Sequence, residues 1–179
     1  MRPHILPATL ADAPEILALQ RLAYQAEARL YGDWSIPPLT QTLAELETEL
    51  AAEMQTEPPI FAVLKAALKA VDETGAIVGS VRARLDETPG TGAVCRIGRL
   101  IVHPRRQRQG LGSALLAAIE ASFPHAARYA LFTGAQSEGN LRLYRRQGYR
   151  QVETRQVETR QVSPGLTLVF LEKPGAACG

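Results

Sequence analysis

Apolar residues recur at helical spacing in two early segments and give way to strand-like runs after residue 60. Residues 4–9 read as a short strand. Asp12-Ala-Pro-Glu15 then supplies a capping-box start with proline in the first turn, followed by an apolar stripe of Ile16, Leu19, Ala23, Ala26 and Leu30 that Gly32 ends. After a loop with Trp34, Pro37 and Pro38, Leu39, Leu43, Leu46, Leu50 and Met54 mark a second amphipathic helix. Glu45, Glu49 and Glu53 recur on another face, read as solvated, and Pro58-Pro59 closes the helix. From Ile60 the period changes to that of strands. A run to about Val71, a turn at Asp72 to Gly75 and a partner from Ile77 to Leu85 predict a hairpin. Cys95 to Val102 reads CRIGRLIV, and its unbroken end Leu100-Ile-Val102 predicts a strand buried on both faces, stopped by His103-Pro104.

Beyond an arginine-rich loop, a helix is predicted from about Gly110 to Phe123, with Leu111, Leu115, Ala118, Ile119 and Ser122 on the core side. RYALFTGA, from Arg128, is another strand, and a helix near Glu138 to Gln147 ends at Gly148. A polar strand candidate and a final strand from Leu166 to Glu172 complete the chain, and the order predicts a mixed sheet carrying helices.

The 179 residues suit one domain spanning 1–179, with 173–179 expected as a flexible tail. A net charge of +2 and 6% aromatic residues offer no nucleic-acid surface. Cys95 and Cys178 are too far apart for a disulfide framework or a metal spacing, and no metal site is expected. No apolar run approaches a membrane span or a signal peptide, so the expected setting is cytoplasmic, with no membrane partner.

The chemistry concentrates in RLIVHPRRQRQGLGSALLAAIE, Arg99 to Glu120, where a buried strand runs into a glycine-rich cationic loop that opens a helix. Gly110 and Gly112 let backbone N–H groups approach an anion, the helix N-terminus adds partial positive charge, and Arg105, Arg106 and Arg108 add attraction. A P-loop would need Lys-Ser/Thr after its last glycine, but Ser113-Ala114 follows Gly112. A dinucleotide fingerprint would put its glycines directly after the strand, whereas the first glycine comes eight positions after Val102 and Leu115 takes the third-glycine place. The remaining pattern, Gln-x-x-Gly-x-Gly at Gln107-Arg108-Gln109-Gly110-Leu111-Gly112, resembles the acetyl-CoA loop of the GNAT superfamily of N-acyltransferases. LIVHP before the loop and LYRRQGYR, Leu143 to Arg150, are similar to further family segments, so the resemblance covers essentially the whole chain.

That resemblance implies a GNAT-like α/β (α+β) fold: a mixed, mostly antiparallel twisted sheet of six to seven strands, about four flanking helices and splayed central strands. It implies that Leu100, Ile101 and Val102 hold a pantetheine arm by strand addition and that Gln107, Arg108, Gln109, Gly110, Leu111, Gly112 and Ser113 hold its pyrophosphate. It further implies direct attack of an amine on acetyl-CoA, with oxyanion stabilisation from a backbone N–H near Ile101 or Val102. Tyr144 matches the family tyrosine of LYxxxGF or LYxxxGY and is the expected general acid. The family commonly has an asparagine seven residues before this tyrosine; here Ser137 stands there and Asn140 is four before, and Asn140 is the chosen CoA contact. The base is unassigned, because the strand carries Cys95, Arg96 and Arg99 where many members have a glutamate, and His103-Pro104 is common without a catalytic role. Tyr24, Tyr31 and Trp34 lie where members often build an acceptor pocket. Arg82, Arg84, Arg96 and Arg99 face either solvent or an acidic substrate group.

The expected partner is an amine acceptor, small molecule or peptide, and a homodimer stays open. A non-catalytic acyl-CoA-binding or sensing module is the alternative reading, and a nucleotide-binding oxidoreductase a third. One feature falls outside the chemistry: RQVETRQVETRQV, Arg150 to Val162, repeats five residues. A period of five matches neither strand nor helix, so one copy is read as a duplication that bulges or extends the last hairpin away from the CoA loop.

Overall fold

The first helix starts where Asp12 predicts, but by a different set of bonds. The structure, a computed structural model, describes residues 4–54, 65–88, 92–159 and 162–175. Asp12 Oδ2 accepts from the backbone N and the hydroxyl of Thr9, at 2.7 and 2.9 Å, closing a 3-10 turn over Leu10–Asp12. Helix α1, Ala13–Tyr31, follows directly. Glu15, expected to complete the capping box, instead accepts the backbone N–H of Ile77 at 2.6 Å and ties α1 to the sheet. Burial works against ionised Asp12, yet hydrogen bonds from Lys69 and Thr9 outweigh it and hold the carboxyl below its usual range. A depressed folded pKa gives stability that is present above the unfolded value near 3.9 and lost as pH falls through the folded one. Asp12→Asn is therefore expected to cost about 1 kcal/mol at pH 7. Urea unfolding should show that gap narrowing once the pH drops below about 4.

The expected second helix is two. Pro37–Thr40 forms a short α2, and α3 spans Leu43–Met54. Thr42 restarts the helix because its backbone N and hydroxyl donate to Glu45 Oε2 at 2.8 and 2.9 Å, while its Oγ1 accepts from Glu45 N. Leu46 and Leu50 are fully buried against α1, each worth about 1.5–3 kcal/mol. Pro58-Pro59 and the start of the run from Ile60 lie outside the described residues.

Seven strands make one sheet: β1 His4–Pro7, β2 Lys65–Val71, β3 Ile77–Thr88, β4 Gly92–Val102, β5 Arg128–Gly134, β6 Arg150–Thr159 and β7 Val162–Pro174. Their order is β1-β2-β3-β4-β5-β7-β6, antiparallel except for β4 against β5. Helices α4, Leu111–Ala121, and α5, Glu138–Arg146, contribute Leu115, Leu116, Ile119, Leu141 and Tyr144 to the main core with Val81, Ile97 and Leu171. Helices α1 and α3 cover the other face through Ile16, Leu46 and Leu50 against Ile77 and Ile101. The mixed, mostly antiparallel sheet of seven strands agrees with expectation, and the described residues hold five helices where about four were expected.

Two irregularities shape the molecule's functional half. Ser80 pairs with Ile101 and Arg82 with Gly98, so Val81 faces both Arg99 and Leu100; Arg99 takes up the extra residue with φ 52°. β4 is paired with β5 only over Val94–Arg96 against Arg128–Ala130, so the two strands have already parted where the bulge comes. The second irregularity is the repeat. β6 pairs with β7 through register shifts around Val152 and Glu158, and Val152 is exposed. The duplicated residues lengthen the hairpin and bulge it, because a bulge is the cheapest way to pass a five-residue period through a two-residue pleat. The last strand also runs past the expected start of the tail at 173. Lys173 ion-pairs with Glu120 at 2.6 Å, and Gly175 N donates to Ala127 O at 2.9 Å, which extends order to residue 175.

Candidate active site

The strand-to-helix loop is built by its own side chains. His103 Nδ1 accepts the Arg105 N–H at 3.2 Å and starts a 3-10 turn over Pro104–Arg106. Arg106 was expected to attract phosphate, but it donates to Asp72 at 2.9 Å and fastens the loop to the β2–β3 turn. Arg108 and Gly110 then adopt left-handed backbone, φ 59° and 81°, and fold the chain onto the N-terminus of α4. A Cβ on Gly112 would lie 3.3 Å from Leu143 Cδ2 and 3.8 Å from Val102 Cγ2, so glycine keeps this helix start close to α5 and the strand. The exposed N–H groups of the first turn, with Arg108 beside them, suit an anion.

The divergence of β4 and β5 opens a cavity of about 1470 Å³, which runs from this loop across the gap to the C-terminal half of α1. Single-ligand pockets are about 300–1,000 Å³, so there is room for two ligands side by side. Leu100, Ile101, Val102, Gln107, Arg108, Gly110, Gly112, Ser113, Asn140 and Tyr144 all line it. Gln109 and Leu111 do not: Gln109 Nε2 donates to Arg105 O at 3.2 Å, and the Leu111 side chain is in the core. A strand edge without a partner, a left-handed turn and a cationic helix start fit an extended chain ending in a pyrophosphate.

Tyr144 is 6% exposed and its ring lies 6.1 Å from that of Tyr149. Burial raises its phenol pKa well above the ordinary value near 10, and Tyr24 and Glu27 raise it further. Ser137 and Asn140, the alternative contacts before this tyrosine, converge on one carboxylate. Ser137 Oγ and Asn140 Nδ2 donate to Glu27 Oε1 at 2.8 and 3.1 Å, and Asn140 Nδ2 also donates to Thr133 Oγ1 at 3.2 Å. Glu27 is a residue sequence reasoning missed, because a single glutamate on an amphipathic helix carries no signal. Four residues on, Tyr31 Oη accepts the N–H of Gln136 at 2.9 Å. Helix α1 thus spans the gap and is pinned to the β5–α5 connection at two points.

The four arginines Arg82, Arg84, Arg96 and Arg99 have three different fates. Arg82 is buried and pairs with Glu49, which stays exposed as its stripe was expected to be; it also donates to Gln20 Oε1 at 3.3 Å. Arg84 and Arg96 both pair with Asp86 on the surface. Arg99 alone of the four lines the cavity, with its guanidinium 6.0 Å from the centre of the Tyr24 ring. Tyr24 and Tyr31 also line it, whereas Trp34 is exposed and off its wall. Cys95 is fully buried, and burial, with Glu120 and Asp86, pushes its thiol up to about 12. Among the described residues no helix is long and apolar enough to cross a membrane, and no group of three His, Cys, Asp or Glu could hold a metal.

The fold has close counterparts. A GNAT-family acetyltransferase from Streptococcus pneumoniae superposes with a TM-score of 0.72 at 18% identity, over 97% of this chain and 99% of that one. A GNAT-superfamily phosphinothricin acetyltransferase from Sinorhizobium meliloti, in complex with AcCoA, gives 0.75 at 18% identity, over 99% and 92%. A ribosomal-protein-alanine N-acetyltransferase from Brucella melitensis gives 0.70 at 23% identity, over 96% and 99%. No curated protein matches the chain by sequence. The family model for GNAT acetyltransferases, however, matches residues 22–149, which takes in the α1 bridge, the bulged strand, the glycine loop and Tyr144. With that match over most of its length, the chain belongs to the acetyltransferase (GNAT) family.

Proposed function

We propose that this protein transfers an acetyl group from acetyl-CoA to a primary amine by direct attack, with both substrates bound together. One observation carries the reading: a single cavity joins a glycine-rich helix start, an open strand edge, a buried tyrosine and a separate carboxylate-bearing wall. The backbone of Leu100 to Val102 would take the pantetheine arm as an added strand, and the loop from Gln107 to Ser113 its pyrophosphate. Holding both reactants in one cavity supplies the proximity that a two-substrate transfer needs. In the transfer a nitrogen–carbon bond forms and the carbon–sulfur bond breaks. Tyr144 donates a proton toward the departing sulfur, and the proton shed by the new amide nitrogen restores the phenol. Cys95 supports direct attack, since a buried thiol held protonated is no acyl carrier.

The deciding experiment incubates the protein with acetyl-CoA and a broad panel of primary amines, following free-thiol release. Release that depends on an amine is the expected result. Stabilisation by acetyl-CoA without release for any amine would instead establish an acyl-CoA-binding module, and preferential stabilisation by NAD(P) would remove both readings.

A further inference from the structure

Resting on the acetyltransferase reading, we infer that the acceptor is an amino acid with an apolar side chain, its carboxylate held by Arg99 and its amine drawn to Glu27. Arg99 is a cation the fold places in the cavity wall at a structural cost. A left-handed arginine in mid-strand is uncommon, and the bulge it makes turns its side chain onto Tyr24 instead of into the sheet. The guanidinium lies against the Tyr24 ring, which helps to set its direction. Among the described residues, Arg82, Arg84, Arg96 and Arg106 all have carboxylate partners; Arg99 pairs with none and keeps its charge for a ligand.

Glu27 supplies the opposite charge from the facing helix. Both hydrogen bonds from Ser137 and Asn140 fall on Oε1, so its position is set while Oε2 is left to meet an ammonium. Among the described residues Glu27 and Arg99 form no ion pair with each other, and both line the cavity together with Tyr24. Burial raises that phenol's pKa, Arg99 lowers it and Glu27 raises it, so both charges are near enough to act on it. Opposite charges that share one cavity without pairing match a zwitterion better than a simple amine, whose single charge would leave Arg99 without a partner. The rest of this wall is apolar: Leu30 and Phe132 are large hydrophobic residues, 45% and 58% exposed, and both face the cavity with Ile36 and Leu168. A hydrophobic amino-acid side chain would cover them.

The test compares L-phenylalanine, L-leucine and L-methionine with their primary carboxamides as acceptors. The carboxamides carry the more easily deprotonated amine, so intrinsic reactivity favours them. The unaltered protein is expected to prefer each acid by at least about ten-fold in kcat/KM. Arg99→Asn, chosen because asparagine tolerates left-handed backbone, is expected to bring that ratio close to one. Glu27→Gln should lose turnover at neutral pH and regain part of it at pH values where the amine is already neutral, a recovery that a structural role would not produce. Equal or better use of the carboxamides by the unaltered protein overturns the inference, as does a preference that survives in Arg99→Asn. Thermal stabilisation by L-phenylalanine in the presence of CoA separates this inference from the one beneath it. Stabilisation lost in Arg99→Asn, without turnover, would uphold the amino-acid site and sink the transferase reading. Turnover of other amines without such stabilisation would do the reverse.

Discussion

Tyr144→Phe is expected to lower kcat by about 10²–10⁴-fold while leaving acetyl-CoA affinity nearly unchanged, as read by thiol release and by calorimetric titration. The reason lies in where the hydroxyl sits. Tyr144 is on the buried face of α5 and on the cavity wall, and removing one oxygen leaves ring packing in place. Burial raises its pKa, so the phenol is neutral at every pH where the fold is ordinarily studied and always has its proton to offer. A raised pKa also limits what the residue can do. A phenol weaker than a thiol does not simply hand its proton to a finished thiolate, so its benefit comes while charge is still developing on sulfur. Interactions of that kind lower kcat when lost and leave ground-state binding alone. The pH profile follows by sign: with the pKa above 10, kcat should show no alkaline fall below about pH 10. An alkaline limb near pH 8 would assign the proton to another group.

Much of this site could be read from the residues because it is local. The glycine loop, the strand before it and Tyr144 lie within one stretch of chain, and their backbone demands are written in Gly110 and Gly112. The wall that α1 contributes to the cavity is different in kind. Glu27 meets Ser137 and Asn140 across more than a hundred residues, and nothing at position 27 signals that meeting. The arginines show the same limit: Arg82, Arg84, Arg96 and Arg99 look alike in sequence, but a bulge and two carboxylates, Glu49 and Asp86, give them different roles. Periodicity also misjudged the stripe of α1. Ala26 and Leu30 continue it in sequence, yet they are exposed, because beyond Tyr24 the helix crosses the open gap between β4 and β5 and has no core beneath it. Helical spacing shows which residues share a face but not whether that face meets a core or a cavity.

Gly134→Ala is expected to cost about 3 kcal/mol of stability, although it adds one methyl group to a residue of ordinary backbone conformation. The position is where α1 lands on β5. A Cβ there would stand 2.0 Å from Tyr31 Oη and 2.5 Å from its Cζ, distances that no rotation of the methyl relieves. Tyr31 cannot swing aside freely, because its Oη accepts the Gln136 N–H at 2.9 Å. The end of α1 must move instead, and Glu27, one helical turn earlier, moves with it away from Ser137 and Asn140. The loss should therefore appear twice, as a lower urea midpoint and as a fall in acceptor kcat/KM. A double-mutant cycle with Tyr31→Ala isolates the cause. Once the phenol is gone the methyl has space, so the double variant should be more stable than the sum of the single losses by at least about 1 kcal/mol. If Gly134→Ala costs as much with Tyr31 absent as with it present, the helix does not rest on that glycine, and the α1 bridge over the cavity must be held by the Glu27 contacts alone.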